Sequence, residues 1–238
     1  ALASVLLLPL AAQATPAFDP NVTEAVFEGG DPALLDADGL PAWDRIERLR
    51  DGDLTLFPPE DLPPGGAWDD QDPLSPHTAT LFGDPSPSGG LFLLHAAPGW
   101  LGAVEPVPVL LVPGAGTSAS GVLVVLARQL AAAGHSVFAL TFPHPHGDCF
   151  QQAEQVADAI DRIRVLTGAS QVDLVGHSKG GIAATLYLSH TPSQSWASPE
   201  NPRGGRYEER GTPFRGDVRR FVAVAVPLGG LDTAFRWT

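Results

Sequence analysis

Val172-Asp173-Leu174-Val175-Gly176-His177-Ser178-Lys179-Gly180-Gly181-Ile182-Ala183-Ala184 is the stretch on which the reading of this chain turns. An apolar, β-branched run ends in the pentapeptide Gly176-x-Ser178-x-Gly180, and a helical pattern of small residues follows at once. Strand, sharp turn and helix in that order make a nucleophile elbow, in which a serine sits on a strained turn with its hydroxyl clear of the backbone. Side chains two residues before and after it would collide with the neighbouring strand or helix, so glycine is required at both places. A plain Gly/Ser turn fits the same pentapeptide. The strand pattern before it and the helix pattern after it favour Ser178 as a nucleophile.

Outward from the elbow, strand and helix patterns alternate. Val107-Pro108-Val109-Leu110-Leu111-Val112 is continuously apolar, as expected of a strand covered on both faces, with Pro108 tolerable only at its start. The turn Pro113-Gly114-Ala115-Gly116-Thr117 leads into a helix predicted over 119–133 and stopped by Gly134. A strand over 136–142, the loop Pro143-His144-Pro145-His146-Gly147-Asp148 and a helix from about 150 to 166, capped by Gly168, come next. The elbow helix runs to about His190, and Val218 to Val226 supplies one more core strand. This alternation predicts an α/β fold with a mostly parallel sheet, flanking helices and right-handed crossovers.

Two regions break the rhythm. Residues 191–217 are rich in Pro, Ser and Gly and carry Arg203, Arg206, Arg210 and Arg215; they read as an irregular insertion above the sheet's C-terminal edge, either a lid or a solvated loop. Residues 15–106 form an arm broken by Pro, Gly and Asp clusters, with a short helix expected within 41–50, Ile46 and Leu49 facing inward, and an early strand over 91–96 in which His95 is packed or at an edge. Asp36-Ala37-Asp38-Gly39 resembles part of a calcium loop but lacks its later carboxylates, so a solvated turn is favoured.

Composition narrows the function classes. At 238 residues and 44% hydrophobic content, one main domain with a sizeable core is the default. A net charge of −13 argues against nucleic-acid or anionic-membrane partners, which require clustered Lys and Arg. Residues 1–14 read as the remnant of a secretory signal with an Ala12-x-Ala14 cleavage site, so a secreted or periplasmic protein is expected. That run is too short to span a bilayer, and with neither an initiator Met nor a basic flank the sequence is expected to begin inside its precursor. Cys149 is the single cysteine, so no internal disulfide forms; it reads as a packed small residue rather than a nucleophile.

A serine hydroxyl needs a base to take its proton and prepositioned donors for the anion formed on attack. One donor in an elbow is the backbone N–H after the nucleophile, here Lys179. The glycine-flanked turn after the earlier strand offers a second, with Ala115 the favoured donor, although a plain strand-to-helix connection has the same composition. His144, His146 and Asp148 offer an H-x-H-x-D pattern that suits zinc, a pocket wall or a Pro-rich turn.

Residues 107–230 resemble an α/β-hydrolase, and in particular the class 2 bacterial lipases and lipase B-type enzymes, whose early strand runs into a V-P-G-x-G segment as Val112-Pro113-Gly114-Ala115-Gly116 does here. The resemblance covers about half the chain. It implies Ser178 as the acylated residue, Ala115 and Lys179 as oxyanion donors, an ester or lipid substrate, and no cofactor or metal. It also implies a substrate pocket at Gly114, Gly116, His144, His146 and His177, since the loop equivalent to 143–148 lines the acyl pocket in related lipases. Lipase B-type enzymes carry a Thr where this chain has Ala115, which removes the hydroxyl that adds a third hydrogen bond there.

In this fold the triad runs Ser, acid, His. The single histidine after Ser178 is His190, twelve residues along the same helix and therefore about 18 Å away, and His177 points to the other side of the elbow. The catalytic His is expected to lie outside these 238 residues, the sequence being read as a fragment truncated after the sixth strand and inactive by itself. Asp232 stands where pancreatic-type lipases keep their acid, against the reading of a solvated carboxylate. The leading expectation is a secreted serine esterase or lipase; a polyester depolymerase and a non-catalytic exported binding module are the alternatives.

Overall fold

The apolar runs of the sequence become strands of one sheet. The computed structural model of the chain describes residues 21–36, 38–50, 68–191, 195–200 and 202–229. In chain order the main elements are β1 (Val22–Glu28), β2 (Arg45–Arg50), α1 (Thr78–Phe82), β3 (Leu91–Ala96), β4 (Val109–Val112), α2 (Val124–Ala132), β5 (Val137–Thr141), α3 (Cys149–Thr167), β6 (Val172–His177), α4 (Ser178–Ser189), α5 (Pro202–Arg210) and β7 (Val218–Val224). The strands are ordered β1-β2-β3-β5-β4-β6-β7. β4 to β7 are mutually parallel, and β1, β2 and β3 join the β5 side antiparallel. The result is a mixed α/β sheet with helices on both faces, in which Ser178 stands at the end of β6, a parallel strand between β4 and β7.

Every residue of β3, β4 and β5 is buried, because helices or arm segments cover both faces. Leu94, Leu110, Phe138, Leu140 and Leu174 pack with Val156, Ile160 and Ile163 of α3 on one face. Leu93, Leu111 and Ala139 pack with Ala127 of α2 and with Trp43 and Phe82 of the arm on the other.

The arm departs from expectation at residues 41–50, where the short helix is replaced by β2. Ile46 and Leu49 are three apart, a spacing that suits one helix face or the two opposite faces of a strand. Here they belong to the two different cores, so the strand reading holds. Pairing with β1 and β3 on either side supplies the backbone hydrogen bonds that a helix would have made internally. Asp36 is likewise occupied: its carboxylate accepts from Asp38 N–H and Leu40 N–H and pairs with Arg128 at 2.8 Å, which makes a closed turn rather than an open calcium site. His95 is a packed central residue, with Nε2 2.9 Å from Thr141 Oγ1.

The helix expected from residue 119 begins as a π-turn over Ala119–Leu123 before α2. A Cβ on Gly121 would lie 2.1 Å from Leu74 O, so the wider turn and the bare glycine admit the arm's backbone. Within 191–217 the structure places a regular element, α5, where irregular chain was expected. Tyr207 of α5 is fully buried against Phe150, His190 and Trp196, and Arg215 pairs with Asp161 of α3 at 2.6 Å. Acidic side chains on α3, with an aromatic slot beside them, fasten the insertion to that helix.

Glu47 of β2 is almost wholly buried and joins the arm to the core. Arg162 of α3 donates to both its oxygens at 2.7 and 3.0 Å, and Arg45 adds two bonds at 2.9 and 2.7 Å. Burial opposes its charge, but the hydrogen bonds from Arg162 and Arg45 outweigh that and hold its carboxyl below the usual glutamate range. Glu47→Gln is expected to cost about 1–3 kcal/mol at neutral pH, because it removes the buried carboxylate that two partly buried guanidinium groups share. Since the folded value is lowered, the contribution is complete above about pH 4.3 and fades as pH falls through the folded value. Urea unfolding of the two proteins at pH 7 and pH 3 tests this; a gap of equal size at both would contradict it.

Candidate active site

Ser178 has φ +50, in the left-handed region that a residue bearing a Cβ rarely enters, while His177 before it is extended. The chain thus reverses sharply between β6 and α4 and lifts the serine out at the sheet's edge. The neighbouring glycines are needed for contact as well as conformation. A Cβ on Gly176 would lie 2.6 Å from Gly181 Cα, and one on Gly180 would lie 2.1 Å from Pro113 O. α4 is therefore seated directly on the end of β4.

That seating brings the turn after β4 against the serine. A Cβ on Gly114 would lie 3.0 Å from Ser178 Cβ and 3.0 Å from His177 Nδ1. Thr117 Oγ1 donates to Gly114 O at 3.2 Å, and Gly116, at φ +71, completes the reversal. Ala115 is exposed at the turn's crest, and its N–H donates to no group among the described residues. Lys179 N–H belongs to the first turn of α4, whose N–H groups have no intrahelical acceptor and sit at the positive end of the helix dipole. Two N–H groups without an acceptor among the described residues therefore belong to the two segments that meet at Ser178.

The loop after β5 forms the opposite wall. His146 is exposed and packs on Gly116, its ring 3.4 Å from where a Cβ would stand. His144 is buried, and burial pushes its pKa down. Asp148 caps α3, accepting from Phe150 N–H at 2.8 Å and Gln151 N–H at 3.2 Å, and pairs with Arg203 at 3.0 Å. His144, His146 and Asp148 thus have separate tasks. Among the described residues no cluster of three His, Cys, Asp or Glu side chains is placed to hold a metal ion. Burial pushes the Cys149 thiol up, with Lys179 opposing, which fits a packed residue.

His177, whose ring lies beside Gly114, helps line a cavity of about 380 Å³ with Val122, Leu123, Leu126, Val175 and Val224. His190, at the far end of α4, is buried with Nδ1 3.1 Å from Thr212 O. Among the described residues no imidazole is hydrogen-bonded to Ser178, and Asp232 lies outside them, as does the signal-like start.

Three contributors escape sequence reading. Trp68 Nε1 donates to Pro143 O at 2.9 Å and Gln152 Nε2 donates to His144 O at 2.9 Å, so two consecutive loop carbonyls are pinned from opposite sides. Ala225, at φ +50, follows β7 beside Ser178, since Val224 is in register with His177. The one local signal is the run Gln151, Gln152, Glu154, Gln155, polar residues that are all buried near the start of α3. No helix of the described residues is long and apolar enough to cross a membrane.

No protein-family model matches the chain, and no curated protein sequence matches it. Among solved structures it is similar to the Bacillus licheniformis lipase BlEst2 in its propeptide form, at 23% identity and a TM-score of 0.38, over 52% of this chain and 23% of that one. It is also similar to an Agrobacterium tumefaciens protein of unknown function, at 14% identity and TM-score 0.38 over 63% and 62% of the two chains. A third is the thioesterase domain from the curacin biosynthetic pathway, at 19% identity and TM-score 0.35 over 61% and 46%. The chain spans less than two thirds of each of these proteins.

Proposed function

We propose that this chain carries the nucleophile and oxyanion hole of an exported serine hydrolase that cleaves carboxylic esters through an acyl-enzyme on Ser178. The observation that supports this best is the backbone of Ser178, held at φ +50 in contact with the Gly114 turn. Strain of this kind costs about 1–3 kcal/mol and persists where the surroundings over-determine it, as Gly176 and Gly180 do here.

In this reading Ser178 Oγ attacks the ester carbonyl carbon as a base takes its proton. The resulting oxyanion is met by the N–H groups of Ala115 and Lys179. Collapse breaks the bond to the alkoxide, which leaves with the proton from the base, and water then repeats the sequence to release the acid and free the serine. The base is supplied from outside residues 21–229, and Asp232 is the candidate to orient it. His146 on Gly116 and the His144 wall border the acyl group, and the signal-like residues 1–14 direct the protein out of the cytoplasm.

A fluorophosphonate probe applied to the full gene product tests the reading. The peptide containing Ser178 gains the phosphonyl mass in the parent and not in Ser178→Ala. Labelling that survives the substitution would place the nucleophile elsewhere, and no labelling of either protein would favour a non-catalytic binding module.

A further inference from the structure

We infer that Gln152 is a positioning residue of the oxyanion hole, acting through Lys179; the inference rests on the serine-hydrolase reading above. A donor stabilises a developing oxyanion only when it is already fixed where the charge appears, and a displacement of about 1 Å costs on the order of 100-fold in rate. The backbone after Lys179 is seated on the end of β4 through Gly180, but its neighbours there bring no side chain to the turn. Lys179 precedes Gly180 and Gly181, which have no side chains to anchor the first turn of α4 and carry the weakest helix propensity apart from proline.

The Lys179 side chain supplies the missing anchor. Its ammonium donates to Gln152 Oε1, and Gln152 is itself buried in the first turns of α3. Gln152 N–H donates to Asp148 O at 3.0 Å, within the turn that the Asp148 side chain caps. The other end of the same amide, Nε2, donates to His144 O at 2.9 Å. One side chain therefore ties the residue that presents an oxyanion donor to the loop that forms the opposite wall.

Glutamine suits this place because its amide has one accepting end and one donating end. The Lys179 ammonium needs an acceptor, since a buried cation without one is costly, and the His144 carbonyl needs a donor. Glutamate would satisfy the ammonium and turn a carboxylate oxygen on the carbonyl; methionine would serve neither. Burial pushes the Lys179 pKa down, against the opposing pull of Cys149, which also takes a hydrogen bond from the amine, and of Asp148. Removing the amide is expected to loosen Lys179 N–H and the 143–147 wall together, while Ser178, Ala115 and their contacts stay in place.

The test is a double-mutant cycle on the full gene product with p-nitrophenyl butyrate as substrate, using Gln152→Met, Lys179→Met and the two combined. Gln152→Met is expected to lower kcat by about 10- to 100-fold with KM changed less than about threefold. In the Lys179→Met background the same change costs at most about twofold more, because the amide has no ammonium left to hold. Gln152→Glu, which keeps the acceptor, is expected to retain more kcat than Gln152→Met and guards against a methionine variant that does not fold. A lowered melting temperature with kcat unchanged, or losses that multiply independently across the cycle, would overturn the positioning role. If parent and Ser178→Ala hydrolyse the ester equally, the serine reading itself falls and this role with it, whereas a parent dependent on Ser178 with an uncoupled cycle refutes the role of Gln152 alone.

Discussion

Ser178→Ala is expected to lower ester hydrolysis by the full gene product by about 10⁴-fold or more, leaving only what the oxyanion donors and binding provide. The loss should fall on kcat, since the hydroxyl contributes bond formation rather than affinity. Stability is expected to respond differently to two substitutions that both remove the hydroxyl. Alanine keeps a Cβ at φ +50 and therefore keeps the strain, whereas Ser178→Gly releases it and gains about 1 kcal/mol. Urea denaturation that ranks Gly above Ala, in proteins equally inactive, would tie the strain to the nucleophile's posture. A Gly variant less stable than the Ala variant would contradict it.

Gly180→Ala carries the second large effect. Its Cβ would stand 2.1 Å from Pro113 O and 2.9 Å from Val112 Cγ1, both on the β4 side that α4 touches. Backbone cannot give way as a flexible side chain does, so α4 must withdraw from β4. The expected cost is about 3 kcal/mol, at the upper end for overpacking, with a melting temperature lower by about 6–12 °C. Withdrawal also separates Lys179 N–H from the Gly114 turn, so kcat should drop in whatever fraction remains folded. Gly168→Ala is the control: a Cβ there meets nothing within 4 Å, and only the penalty of φ +71 applies. Calorimetry of both variants decides the matter, and a loss at Gly180 no larger than that at Gly168 would contradict a large cost for the contact with Pro113.

The elbow and the parallel strands were legible because they are local. At β4 and β5 a continuous apolar run marks a strand buried on both faces, whereas β7, expected as a core strand, lies largely exposed at the sheet edge because no strand pairs with its outer side among the described residues. Gly-x-Ser-x-Gly between strand and helix marks a backbone that must turn tightly against close neighbours. The arm was legible only in part. Ile46 and Leu49 fit a helix face or two strand faces equally well, and the choice belonged to β1 and β3, which offer the hydrogen bonds. Segment 191–217 lacks apolar periodicity, so α5 was hidden until Tyr207 found the slot between Phe150, His190 and Trp196.

The sequence by itself determined that a serine would be raised at the end of a strand, because strand, strained turn and glycine spacing are properties of adjacent residues. Only the tertiary structure decided what holds that serine's surroundings in place. Trp68 reaches Pro143 across 75 residues, Glu47 reaches Arg162 across 115, and Gln152 meets Lys179 across 27. Such pairings follow from the order in which strands lie side by side, and a lone polar side chain in the sequence carries no period that announces its distant partner.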